Sequence, residues 1–322
     1  MWSPKYIVEE RKKGKLILLI ICLFIGVLVG WKHLLPKFFL SNSGKIITIA
    51  LIFLLITMGL KIGFDREMIS HLGEYGFEAF VFAIMTIFLS LVFVGALEKI
   101  FVKKITLPKS GQIKVENDTD PHPYRMTVII VSSFFLGIIL GYAVFPSCIS
   151  DYLPTMTNAA LYFTLLAVGI DLGQNKEIWK QLIGMGKFVF LVPFGVATGS
   201  ILAGMLIGPV FGWKFLEGGA VGAGFGWYSL SGVIITELHS VNLGTIAFLS
   251  NVFREIITII ITPFLASRVG QLTLVAPGGA TTMDTTLPII TAAGPPGTAV
   301  IAFINGVVLS TLVPILVPLL LS

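Results

Sequence analysis

Phe24-Ile25-Gly26-Val27-Leu28-Val29-Gly30-Trp31 is answered further along the chain by Phe135-Leu136-Gly137-Ile138-Ile139-Leu140-Gly141-Tyr142, an offset of 111 positions. Gly59-Leu60-Lys61-Ile62-Gly63 and Gly169-Ile170-Asp171-Leu172-Gly173 repeat at an offset of 110, and Glu67 finds Glu177 at the same spacing. The matches fall in or beside apolar runs near residues 15–34, 45–62 and 77–97 in the first copy, and 125–146, 157–171 and 187–210 in the second. Three crossings per copy turn the second copy upside down relative to the first. Inverted-topology repeats are a recurrent feature of secondary transporters. The pattern predicts an all-α polytopic membrane protein with an inverted three-helix repeat. Glycine-apolar matches also arise by chance in membrane helices, where small residues let helices approach. Two of them at one spacing favour a true repeat.

Composition agrees. Of 322 residues, 55% are apolar and 12% charged, against roughly 25% charged in soluble domains. Met126–Ser150, Phe188–Trp213 and Thr285–Ser322 carry no charge at all, and each is long enough for a hydrocarbon core that takes about 20 residues to cross. The net charge of +5 is scattered over loops, as a positive-inside bias would place it, and is no nucleic-acid footprint. Cys22 and Cys148 have no metal-like spacing and are too few for a disulfide framework. They read as small core residues, and neither a metal nor a cofactor is expected. The basic residues Arg11–Lys15 before Leu16–Trp31 imitate a signal peptide. The run ends in Gly30-Trp31-Lys32-His33 without a cleavage pattern, so it is kept as the first span.

The chain divides into a first membrane half, 1–97, a polar cytoplasmic linker, 98–124, and a second membrane half, 125–322, with a transport site in 218–310. The linker holds Lys99, Lys103, Lys104, Lys109 and Lys114 with several prolines. Lys32, Lys37 and Lys45 mark the first loop, and Lys176, Lys180 and Lys187 mark another. An N-terminus outside the cell makes all three lysine-rich segments cytoplasmic; the basic tail before Leu16 pulls the other way.

Beyond Trp213 the sequence changes character. Gly218–Gly232 is uncharged and dense in glycine, and includes Tyr228, Ser229 and Ser231, with Glu237 just after it. Ala276–Pro288 is a second interrupted stretch, where Asp284 stands alone among threonines. Between them a span, 243–266, bears Asn251, Arg254 and Glu255, and the final span, 299–320, bears Asn305, Pro314 and Pro318. The bland reading of the glycines is close helix packing; the functional one is a pair of re-entrant or discontinuous segments beside a substrate. Ionisable groups at membrane depth cost roughly 2.5–3.5 kcal/mol each, so they need a reason to be there. A buried arginine–carboxylate clasp is one, and a binding site is the other. Glu237 and Asp284 lean towards binding, Glu255 is open, and Arg254 reads as the internal counter-charge. Free N–H groups at half-helix starts attract a carboxylate, and acidic side chains attract ammonium groups. That set suits a cationic amino acid without choosing among lysine, arginine, a polyamine or sodium.

Gly224-Phe225-Gly226-Trp227-Tyr228-Ser229-Leu230-Ser231-Gly232, Thr236-Glu237, Arg254-Glu255 and Gly279-Ala280-Thr281-Thr282-Met283-Asp284-Thr285-Thr286-Leu287-Pro288 together resemble the lysine exporter family LysO. The motif-dense part covers 218–290, and the layout of spans agrees over nearly the whole chain. The resemblance implies about eight transmembrane helices plus two re-entrant segments, a plasma (inner) membrane location, and export of L-lysine in exchange for protons. It also implies an essential pair of intramembrane acids. Glu237 is the first candidate, with Asp284 and Glu255 competing for the second place. Asn251 departs from the family, which carries an acid there. A homodimer is kept as a partner reading beside lysine, protons and the lipid bilayer. The rival transporter is a sodium/proton-type cation antiporter. An enzyme is not supported: Tyr228-Ser229-Leu230 lacks the G-x-S-x-G frame, no H-E-x-x-H occurs, and His239 reads as an interfacial residue at a span end.

Overall fold

The computed structural model describes residues 4–34, 36, 42–101, 125–145, 149–174, 190–295 and 297–322. Residues 102–124 of the linker, the loop with Lys176, Lys180 and Lys187, and also Lys37, Cys148 and Glu177, lie outside them.

Among the described residues every regular element is helical. The first long helices are α1 (Pro4–Trp31), α2 (Ser43–Phe64) and α3 (Leu72–Phe101). The next are α4 (Arg125–Ala143), α5 (Leu153–Gln174) and α6 (Leu191–Ile207). Two short helices follow, α7 (Phe215–Gly222) and α8 (Tyr228–Leu238), then the long α9 (Val241–Leu265). A second broken pair, α10 (Gln271–Val275) and α11 (Leu287–Ala293), precedes α12 (Thr298–Leu320). Among the described residues six helices, α2, α3, α5, α6, α9 and α12, are long and apolar enough to cross a membrane. The apolar parts of α1 and α4 are shorter, Ile17–Trp31 and Val131–Ala143. The chain is thus a multi-pass membrane protein.

Two boundaries differ from the sequence expectation. α1 begins well before its apolar run, because Glu9–Lys13 is made of good helix formers and the helix continues out through them, with only Gly14 opposing it. α3 continues through Glu98 to Phe101, so Glu98 is a helical, buried residue instead of the first residue of a linker.

Glycine decides how the two copies meet. Gly59 faces Gly137 and Gly63 faces Gly141 across α2 and α4, so close that a Cβ on Gly59 would strike the carbonyl oxygen of Phe134. Gly26 and Gly30 face Gly169 and Ile170 across α1 and α5 in the same manner. The sequence match that aligns Gly26 with Gly137 also aligns Gly59 with Gly169, so the two seams join matched positions of the sequence. The third helices of the copies, α3 and α6, pack on each other and run antiparallel. Gly195 lies against Val94, Gly199 against Leu89 and Ser90, and Phe211 against Phe82 and Phe77. Small residues that allow backbone contact are the usual means of holding helices together in lipid, where apolar burial adds no drive.

The broken pairs are hairpins that start and finish at the same end of the bundle. Glu217, in the first turn of α7, accepts from His239 Nε2 at 3.0 Å, just past α8. This mouth also holds the start of α3, where Trp213 Nε1 donates to Glu78 at 3.0 Å and Asn242 Nδ2 donates to the Tyr75 hydroxyl at 2.9 Å. In the second hairpin Gln271 Nε2 donates to Thr298 Oγ1 at 2.9 Å, tying the start of α10 to the start of α12. That mouth lies at the other end of α3: Glu98 accepts from the backbone N–H groups of Leu272 and Thr273, each at 3.0 Å. Glu78 and Glu98 are 20 residues apart on one helix, about 30 Å. The hairpins therefore enter from opposite ends.

Candidate functional site

The hairpins meet tip to tip inside the bundle. Ala280 N–H donates to the Phe225 carbonyl at 2.7 Å, and Gly226 lies against the Gly278 carbonyl. Both turns need backbone that L side chains avoid. Gly279 has φ 58° and ψ −126°, a region open essentially to glycine alone, and a Cβ there would strike the Phe225 carbonyl. Phe225 itself sits at φ 49°, fully buried. A non-glycine residue in the left-handed region is strained and persists only where its surroundings hold it. Here the Ala280 bond and the packing around the phenyl ring hold it.

Three buried side chains on the long helices grip the tips. Asn251 of α9 accepts from Gly226 N–H at 2.6 Å through Oδ1 and donates through Nδ2 to the Ala247 carbonyl at 2.8 Å, with Ser231 Oγ at 3.4 Å. Arg254, one turn further along α9 and 1% exposed, takes the second tip. Its Nε donates to the Pro277 carbonyl at 2.9 Å and its Nη1 to Ser200 Oγ at 2.8 Å. Nη2 reaches the Ala276 carbonyl and Ser90 Oγ, both at 3.4 Å. Asn305 of α12, with no exposed surface, donates to the Gly279 carbonyl at 2.8 Å and to Thr282 Oγ1 at 3.0 Å. The positive guanidinium thus satisfies the carbonyl-rich end of a broken helix, where the backbone dipole is negative. Ser200, besides accepting from Arg254, donates to the Gly222 carbonyl at 2.7 Å and so binds the C-terminal end of α7.

The first turn of α8 opens at the same centre, with its positive end towards the tips. Tyr228 begins it, buried and edge-on to Phe248 at 5.7 Å, with buried Ser229 next to it. Glu255, 1% exposed, is next to Arg254 on α9. The centre therefore unites Asn251, Arg254, Ser231 and Asn305, with Tyr228, Ser229 and Glu255 on the elements beside them. The other two acids stand apart. Asp284 lies just past the second tip, exposed, with one carboxylate oxygen accepting from Thr285 N–H at 2.6 Å. Glu237 is nine residues from Tyr228 along α8, about 13 Å away. Its carboxylate, 4% exposed, is ion-paired with the ammonium of Lys61 on α2.

Sequence reasoning missed five contributors. Lys61 reads from sequence as a loop charge after the second span; it lies inside α2, between the seam residues Gly59 and Gly63. Its signal was present, since the repeat sets it opposite Asp171. Ser90 and Ser200 are 110 positions apart, the offset of the repeat, and flank one guanidinium. Glu98 was visible only as a carboxylate between apolar pairs, Ala96-Leu97 and Ile100-Phe101. His239 reads from sequence as an interfacial residue; it is the partner of Glu217 at the first mouth.

Two re-entrant hairpins meeting at a polar centre within a glycine-seamed helical bundle define a membrane protein built like a transporter. The family model for the lysine exporter LysO matches residues 20–115 and 131–321, and the chain belongs to that family. It is 30% identical over 199 residues to the lysine exporter LysO of Escherichia coli K12, covering 61% of this chain and 66% of that protein. About a third of that relative lies outside the match. It is also 30% identical over 190 residues to a Haemophilus influenzae Rd protein whose assignment as a lysine exporter is itself provisional, covering 58% of this chain and 94% of that one. Both relatives are named as transporters, not enzymes.

Proposed function

We propose that the protein exports L-lysine from the cytoplasm across the plasma membrane in exchange for protons. The observation that carries this is the pairing of two opposed hairpins at one polar centre, in a chain of the lysine exporter family. The positive N-terminal end of α8 suits the substrate carboxylate, while Glu237, Asp284 and Glu255 suit its two ammonium groups. Glu237 already binds a lysine head group, that of Lys61. The eight helices α1 to α6, α9 and α12 are read as spans related in part by an inverted repeat, with both termini outside. In that orientation the mouth at Glu217 and His239 faces outward and the mouth at Glu98 faces the cytoplasm. Expelling one net positive charge against an inside-negative 100 mV costs about 2.3 kcal/mol, and exchange for a proton cancels that charge movement. A carboxylate that holds either a proton or an ammonium group couples the two.

The test is lysine flux in proteoliposomes holding only this protein under an imposed pH gradient. Wild-type flux should follow the gradient, and Glu237→Gln should abolish it while the variant still inserts and folds. Undiminished flux in a well-folded Glu237→Gln protein rules out the role of that carboxylate. Sodium or proton movement without lysine would reassign the protein to cation antiport.

A further inference from the structure

The Lys61–Glu237 pair joins α2 to the first re-entrant hairpin. Lys61 belongs to α2, locked to α4 by the Gly59 and Gly63 seam, whereas Glu237 sits on the last turn of a re-entrant hairpin. Stability alone gives little reason for the pair. Two charges taken out of water contribute about as much as, or less than, apolar residues of similar volume. Lysine is also a poor choice for a fixed clasp. Its ammonium is a point charge on a flexible four-carbon stem, where arginine would supply a rigid fork. The Lys61 side chain is 15% exposed against 4% for Glu237, so of the two partners the lysine is the one in part accessible to solvent. Tyr162 of α5 is within electrostatic reach of the same carboxylate. The group held there is chemically the side chain of the proposed substrate.

We propose that Lys61 is a tethered occupant of the carboxylate at Glu237, standing where the side-chain ammonium of a transported lysine binds and competing with it. This rests on the lysine-export reading and adds a specificity-determining residue to it. When a substrate ammonium reaches Glu237, Lys61 swings out; when Lys61 returns, it displaces the substrate towards the mouth. Between turnovers no bare carboxylate is left at membrane depth. The tether also sets the affinity, because substrate sees only the fraction of Glu237 that Lys61 leaves open.

The experiment compares wild type, Lys61→Ala, Lys61→Ala with Glu237→Gln, and the exchanged pair Lys61→Glu with Glu237→Lys. In detergent, n-butylammonium, the lysine side chain without its amino-acid end, should raise the melting temperature of Lys61→Ala. It should leave wild type and the double variant unchanged. In proteoliposomes at alkaline pH, Lys61→Ala should reach half-maximal flux at a lysine concentration at least about fivefold lower than wild type. The exchanged pair should fold as stably as wild type yet carry no lysine. No butylammonium effect on Lys61→Ala, or full flux in the exchanged pair, overturns the proposal and leaves a structural clasp. If Lys61→Ala does not fold, full flux in the exchanged pair overturns the proposal and absent flux supports it. Absent wild-type flux with butylammonium still stabilising Lys61→Ala would defeat the export reading and uphold the exchangeable carboxylate.

Discussion

Arg254 is the residue on which the centre depends. Its guanidinium is buried and binds two backbone carbonyls of the second hairpin together with a serine from each copy of the repeat. No lysine reproduces that fork, since an ammonium offers a point charge and a different reach. Arg254→Lys should therefore lose about 3 kcal/mol of stability, from at least one carbonyl or hydroxyl left unsatisfied, and most of the flux with it. Chemical denaturation of the solubilised variant, followed by a flux assay, checks both; wild-type stability would refute the assignment. Arg254 was recognisable in the sequence, because a charge within an apolar run needs a partner. Its actual partners were not, because backbone carbonyls freed by a broken helix leave no mark in residue identity. Asn251 was legible for the same reason, and its acceptor role towards Gly226 N–H was hidden for the same reason.

At the scale of elements, the seams between copies make a matched pair of predictions. Gly59→Ala in α2 and Gly169→Ala in α5 occupy equivalent positions, and each places a methyl against a backbone carbonyl. Each should destabilise the protein by about 1–3 kcal/mol, as overpacking does, and by similar amounts. Gly95→Ala is the control: its Cβ meets nothing nearer than Thr273 Oγ1 at 3.5 Å, so it should be neutral or slightly stabilising. Thermal melting of the three variants decides it, and unequal losses at Gly59 and Gly169 would contradict the equivalence. These glycines were legible as a pattern because a repeated spacing survives changes in the surrounding apolar residues. Which helix each would face was not, since any helix with a small-residue stripe can pair with any other. The hairpins, read from sequence as 218–236 and 276–293, run over 215–238 and 271–293, so the first is longer at both ends and the second only at its start. Their outer turns look like ordinary membrane helix until a contact such as Glu217 with His239 shows where they return.

For the whole molecule, the opposed mouths predict sidedness. Single cysteines replacing His239 and Thr298, in a background lacking Cys22 and Cys148, should react with an impermeant thiol reagent from opposite faces of the membrane. In the orientation proposed above, position 239 labels in intact cells and position 298 only after permeabilisation. Labelling of both from one side would contradict the arrangement. Composition alone conveyed that this chain lives in lipid, and the apolar runs conveyed most of its long helices. The meeting of the hairpins was invisible, because it is made by backbone atoms of residues more than fifty positions apart. That meeting has a consequence for how the machine can leak. The amide of Ala280 and the carbonyl of Phe225 are a single shared latch between two doors. Neither hairpin can withdraw without breaking that bond, so the movement of one is felt by the other. Under the proposed export function, such coupling would make the passage a turnstile instead of a corridor, through which the internal amino-acid pool does not drain unescorted.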